Sequence, residues 1–358
     1  MKRIFLFILI ISNLRSFPQA RQTENLIIIT MDGMRWQEVF GGMDPALVLD
    51  KRYTRDSAYL ISAFGAKDRE ERRGKLFPFL WTTIDSEGQL YGDRLSGSEV
   101  DNANPYKFSY PGYNEIFTGY PDTGINSNNK FRNPNTNVLE FINKQPGYQA
   151  RVSAFTTWGV FPYILNKWRS GIYVNSDVDT LSFDNPSLKL INDMQMLEAK
   201  PLNYRIDLLT YFAAREYLKA YKPKVLYLAF AETDNYAHEG EYDQYLKSAH
   251  AEDDMIRDLW TTIQSIPEYH NKTTLLITSD HGRGDQIREQ WRDHGVKIAD
   301  AGHIWIAVIG PDIKAKGLVK TNSPLYQKQI APTLAALLGF HFVPDRGNSE
   351  PIQSIISK

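Results

Sequence analysis

Val225-Leu226-Tyr227-Leu228, followed two residues later by Ala231-Glu232-Thr233-Asp234-Asn235-Tyr236-Ala237-His238, is the stretch whose reading decides the fold. A short continuous apolar run fits a strand buried on both faces, the habit of parallel sheets covered by helices. Three further runs have this form: Leu26-Ile27-Ile28-Ile29, Leu275-Leu276-Ile277 and Ile304-Trp305-Ile306-Ala307-Val308-Ile309. Helical patterns lie between and after them, at Tyr204 to Tyr221, Tyr242 to Ile266, and Leu325 to Leu338 ended by Gly339. Strands alternating with long helices predict an α/β protein, with a mixed, mostly parallel central sheet flanked by helices. From Gly41 to Asn104 the chain is charged and without a strong period, and reads as a small insertion or cap beside the sheet. Asn126 to Asn137, with Pro134, has the composition of a loop.

At 358 residues the chain is long enough for one large domain, taken as residues 21–358. Its 42% hydrophobic and 23% charged content is ordinary for a globular protein, and a net charge of −1 excludes the broad basic field of a nucleic-acid binder. Lys2 and Arg3, the apolar run Ile4 to Ile11 and the polar stretch ending at Ala20 read as a signal peptide over residues 1–20. That run is too short to span a bilayer, so the expected location is secreted or periplasmic without a membrane anchor. There is no cysteine, so any metal must be held by Asp, Glu, His or hydroxyl groups.

Charged residues recur where the apolar runs end. Asp32 follows the first, Asp234 and His238 follow the Val225 run, and Asp280 and His281 follow the Leu275 run in Thr278-Ser279-Asp280-His281-Gly282. In an open α/β sheet, ligands collect beyond the carboxyl ends of the strands. One Asp after a strand is commonly a cap, and one Asp-x-x-x-His is commonly a surface pair. All of them at strand ends in one chain suit a two-metal site, whose ions need anionic and imidazole ligands and open positions for substrate oxygens. A sixth ligand is expected in His303, just before the Ile304 run, with His294 as its rival; His303 requires that strand to run opposite to the others, or a loop to carry it back. In Lys107-Phe108-Ser109-Tyr110-Pro111-Gly112-Tyr113-Asn114, Ser109 lies just ahead of Pro111 in what suits the first turn of a helix running toward Thr118. A helix N-terminus favours an anionic oxygen, and a metal ion favours it more, so Ser109 is the candidate nucleophile against the plainer reading of a capping serine.

The ordered set Asp32, Ser109, Asp234, His238, Asp280, His281 and His303 resembles the alkaline phosphatase superfamily, and looks closest to its nucleotide pyrophosphatase/phosphodiesterase branch. The resemblance implies two divalent metal ions, zinc in similar enzymes. One would be held by Asp32, Ser109, Asp280 and His281, the other by Asp234, His238 and His303. It further implies an exported phosphoric ester hydrolase, phosphodiesterase or phosphomonoesterase, acting on a small-molecule phosphate ester through a phosphoseryl intermediate. Asn128 is the candidate to contact a phosphate oxygen, with Asn126 not set aside. Lys167-Trp168-Arg169 has the spacing of a monoester clamp in related enzymes but falls in a different local context, where a solvated charge pair is the better reading. Sulfatases of the superfamily need a Cys/Ser-x-Pro-x-Arg pattern, which this chain breaks at Tyr113, so phosphate esters are favoured over sulfate esters and diesters are preferred among them. The alternatives are a sulfatase-like hydrolase and an exported binding protein that kept the scaffold without turnover.

Overall fold

The computed structural model describes residues 21–198 and 205–357. The signal-peptide reading falls on residues outside that range. Among the described residues ten strands are formed: β1 (Asn25–Met31), β2 (Gln89–Tyr91), β3 (Val100–Asp101), β4 (Val152–Thr156), β5 (Tyr173–Ser176), β6 (Val225–Phe230), β7 (Thr273–Thr278), β8 (Ile306–Ile309), β9 (Gly317–Leu318) and β10 (Leu325–Tyr326). Eight make one sheet in the order β5-β4-β6-β1-β7-β8-β2-β9, while β3 and β10 pair separately. The run from β5 to β7 is all parallel, with Ile28 opposite Tyr227 on one side and Leu276 on the other. β8 is antiparallel to β7, and β2 is antiparallel to β8. The sheet is therefore mixed and mostly parallel, as expected.

Every residue of β1, β6 and β7 is buried, because both faces of the sheet are covered. Alternation along β1 divides the core. Ile27, Ile29 and Met31 pack with residues of the helices Asp207–Tyr221 and Tyr242–Ser265, whereas Leu26 and Ile28 pack with residues of Ser109–Thr118, Val138–Asn143 and Ile330–Leu337. Fully burying each such aliphatic side chain stabilises by about 1.5–3 kcal/mol, so β1 is the hinge of both layers. Among the described residues no helix is long and apolar enough to cross a membrane.

Residues 41–104 are not set apart as a cap. Their helices Pro45–Val48, Ser57–Phe64 and Arg69–Leu76 bury Leu47, Leu60, Phe64 and Leu76 in the same core as β1 and β7, and β2 enters the central sheet. The helices are only one to two turns long and are started by the side chains of Asp44, Asp56 and Asp68, so no long period builds up. The expected helix from Leu325 is also shortened. Leu325 and Tyr326 pair with Val100 and Asp101 as β10, and the α-helix begins only at Ile330.

Candidate active site

Three loops leaving the carboxyl ends of β1, β6 and β7 bring Asp32, Asp234, Asp280 and His281 together. Asp32 Oδ1, Asp280 Oδ2 and His281 Nε2 are buried atoms without a hydrogen-bond partner. They face one another, with His281 Nε2 3.4 Å from Asp32 Oδ1 and 3.5 Å from Asp280 Oδ2. The outer sides of these groups are held by the fold. Tyr113 donates its hydroxyl to Asp32 Oδ2 at 2.9 Å, the Gly33 amide donates to Asp280 Oδ1 at 3.0 Å, and His281 Nδ1 lies 3.0 Å from the Gly282 carbonyl. That last contact assigns the proton to Nδ1 and turns the Nε2 lone pair inward.

Asp234 and His238 lie one turn apart on the helix Glu232–Glu239, with His238 Nε2 3.3 Å from Asp234 Oδ2. His294 completes this side. Its Nε2 lies 2.9 Å from His238 Nε2 and 3.8 Å from Asp234 Oδ1, and its ring stacks on His281 with centroids 4.0 Å apart. Asp32, Asp280 and His281 form one group of possible ligand atoms within 4.8 Å of one another; Asp234, His281 and His294 form another.

His303, expected as the sixth ligand, is not in the cage, and its rival His294 is the histidine that stands there. β8 does run opposite to β7, as His303 required, but the turn Ala299–Gly302 lays the His303 backbone on Gly282 and pairs it with Asp101. Its ring lines a separate pocket with Trp36, Arg94, Asp285 and Asp300.

Ser109 is the first residue of the helix Ser109–Thr118, whose N-cap residue Phe108 makes no side-chain cap of its own. Gly112 packs so closely that a Cβ there would lie 2.4 Å from the Asp280 carbonyl oxygen, and Tyr113 is the residue bonded to Asp32. Positions three and four residues on share a helix face with Ser109, so its turn abuts the Asp32–Asp280 side of the cage. Asn128 accepts a hydrogen bond from the Tyr110 amide at 2.9 Å, which fixes its side chain beside Ser109. Arg169 is exposed, as a solvated charge would be, but it is also paired. It donates to Glu140 and to the carbonyl oxygens of Asn133, Pro134 and Asn135, while Lys167 lies over the Trp168 ring.

Burial, reinforced by Asp234, pushes Asp32 well above the usual carboxylate range, and burial with the charge of Asp32 does the same to Asp280. Asp234 is buried as well, yet Arg283 and then His238 outweigh that effect and hold it well below the range. Burial and the adjacent His281 push His294 down to about 2, leaving a neutral ring. Two buried carboxylates crowded together, each with one oxygen that lacks a partner and faces an imidazole lone pair, fit a divalent cation by charge and by donor chemistry. Sequence reasoning missed Tyr113 and Arg283. Tyr113 stands four residues after Ser109, one helical turn on, and Arg283 immediately follows Asp280-His281-Gly282.

Residues 96–301 match the family described as Type I phosphodiesterase / nucleotide pyrophosphatase. Among solved structures, wild-type alkaline phosphatase PafA superposes with a TM-score of 0.64 at 11% identity, covering 94% of this chain and 99% of that one. The lipoteichoic acid synthase LtaP from Listeria monocytogenes gives 0.61 at 13% identity, covering 96% and 79%. A 2-O GAG sulfatase gives 0.57 at 13% identity, covering 94% and 75%. At these identities the likeness shows a shared fold, that of the alkaline phosphatase superfamily. No curated protein matches the sequence.

Proposed function

The chain belongs to the type I phosphodiesterase / nucleotide pyrophosphatase family, and from that premise we propose that it hydrolyses phosphate esters at a two-metal site with Ser109 as nucleophile. The observation that carries the reading is the set of buried, partnerless atoms Asp32 Oδ1, Asp280 Oδ2 and His281 Nε2 facing one another. Asp32, Asp280, His281 and Ser109 would hold one ion, and Asp234, His238 and His294 the other. When bound, zinc or a similar divalent cation would supply Lewis-acid charge at the attacking and leaving oxygens.

Ser109 Oγ attacks phosphorus, forming an Oγ–P bond as the ester's leaving oxygen departs with its electron pair and takes up a proton. Water then attacks from the vacated side, breaks the Oγ–P bond and restores the serine. The amide groups at the N-terminus of the Ser109 helix favour negative charge at Oγ. Asn128, held through its Oδ1 by the Tyr110 amide, turns its Nδ2 donors to a nonbridging oxygen. Tyr113 keeps Asp32 in orientation through its hydroxyl. Arg169 spends its guanidinium on Glu140 and three backbone carbonyls, which makes it a poor grip for a doubly charged monoester and favours diesters. Residues 1–20 direct export in this reading, and N-terminal sequencing of the mature protein tests it.

The test of function is a rate comparison on an aryl phosphate monoester, a diester and a sulfate ester, with metal content measured on the same sample. Close to two ions per chain and a diester rate above the others are expected. A sulfate-ester rate exceeding both phosphate rates would overturn the substrate class, and zinc-reconstituted protein without bound metal would overturn the two-metal site.

A further inference from the structure

Arg283 is only 1% exposed, and its guanidinium is committed to the cage. Nε donates to the Gly33 carbonyl at 3.1 Å, Nη1 to the Arg292 carbonyl at 2.5 Å and Nη2 to the Asp234 carbonyl at 3.2 Å; Nη2 also forms an ion pair with Asp234 Oδ1. Each partner adjoins a cage residue. Gly33 follows Asp32, Arg292 lies just before Asp293 and His294, and Arg283 itself lies just beyond His281 and Gly282. Gly33 has φ +58°, and a Cβ there would lie 2.7 Å from Asp234 Oδ1 and 2.8 Å from Arg283 Nη2, so the close approach needs glycine. One side chain thus ties together every segment that bears an Asp or His of the cage.

We infer that Arg283 is a positioning residue that holds the metal cage in its binding geometry ahead of the ions. The inference rests on the reading of this cage as the metal site. Two opposite effects on cation affinity have to be weighed. As a charge beside Asp234, the guanidinium repels a cation, so removing it would tighten binding. As a fork holding four segments, it pre-forms the cage, so removing it would loosen binding. Three of its four contacts go to backbone carbonyl oxygens and only one to a carboxylate, so most of its bonding fixes chain path rather than balancing charge. Partners of this kind, one shell out from the ligands, carry about 10–100-fold in metal affinity. Positioning therefore outweighs repulsion, and lysine, with one rotatable head in place of a planar fork, does not replace it.

The test uses the full mature chain stripped of metal. Zinc affinity is measured by competition with a chromophoric chelator for wild type, Arg283→Gln and Arg283→Lys, and thermal unfolding is followed with and without zinc. Both variants are expected to bind zinc about 10–100-fold more weakly, with zinc raising their unfolding temperatures by less than it raises that of wild type. A merely structural role would lower the metal-free and zinc-loaded stabilities alike and leave affinity unchanged, which would overturn the inference. Tighter zinc binding by Arg283→Gln would overturn it in the other direction, by showing that charge repulsion dominates. Should Arg283→Gln fail to fold, Arg283→Lys decides by the same affinity criterion. Wild-type protein that binds no zinc would bring down the proposed function and this inference together, whereas variants at wild-type affinity bring down this inference alone.

Discussion

His294 reaches the cage from a loop otherwise rich in exposed charged residues, and it does so as a neutral ring stacked on His281. A neutral imidazole with an available lone pair is what a metal ligand requires. His294→Ala is therefore expected to lose close to one of two bound zinc ions, while His303→Ala keeps both. Metal analysis of the two purified variants checks this, and the opposite pattern would restore His303 to the ligand set. Ser109 is separable from the Asp and His ligands in its effect. Ser109→Ala should lower phosphoester turnover by about three orders of magnitude or more while the unfolding temperature stays near wild type, because a buried hydroxyl is removed without disturbing packing. Near-normal turnover in the folded variant would show that another group makes the attack. The two histidines were both visible as candidates along the chain, but His294 and His303 differ only in how the loop between Gly282 and Ile304 bends, and no local pattern encodes that bend.

The helix Ser109–Thr118 serves as a wedge whose fit to β7 depends on the lack of a side chain at Gly112. Gly112→Ala would set a Cβ 2.4 Å from the Asp280 carbonyl oxygen, so the helix must shift away from the cage. A displacement on the order of 1 Å costs about 100-fold in rate, and kcat/KM of this variant is expected to fall by that order; an unchanged value would mean that Ser109 is not positioned through this contact. Farther from the site, the helix Tyr242–Ser265 meets the start of the short helical turn Leu80–Ile84 through Asp253, which accepts from the Phe79 amide at 2.7 Å and the Leu80 amide at 3.2 Å. Burial outweighs those bonds and raises Asp253 to about 7. A carboxyl raised in the folded state holds its proton there while the unfolded chain has lost it. Its contribution to stability is therefore full below about pH 4 and is lost as pH rises through about 7. Asp253→Asn should flatten the decline in stability between pH 5 and pH 8, as measured by denaturant unfolding at each pH. An equal decline in both proteins would assign the effect elsewhere. The helix beginnings at Asp44, Asp56 and Asp68 use capping chemistry that local sequence carries, yet the segment reads as featureless because each helix is too short for a hydrophobic period to establish itself.

At the scale of the whole molecule, the cage joins segments from Asp32 to His294 beyond the carboxyl ends of the sheet's central strands, so an ion bound there links elements spread across most of the described chain. Ligand that binds only the folded state stabilises it by mass action, by about 2.7 kcal/mol at a hundredfold excess over Kd. Chelation is accordingly expected to lower the unfolding temperature and abolish hydrolysis, with both restored by zinc; activity indifferent to chelator would contradict the two-metal reading. Four of the eight strands of the sheet, β1, β6, β7 and β8, were legible in the sequence with the site residues that follow three of them, because burial on both faces demands continuous apolar runs and because Asp32, Asp234, Asp280 and His281 come soon after such runs. The Ser109 helix was legible for the same reason, since proline position and helix start are local properties. Tertiary structure alone decided that β2 enters the sheet between β8 and β9, that His294 rather than His303 faces Asp234, and that Arg283 binds the loops after β1, β6 and β7 into one cage. Those outcomes depend on contacts between residues as much as 250 positions apart, set by loop paths and mutual packing rather than by any repeat or propensity along the chain.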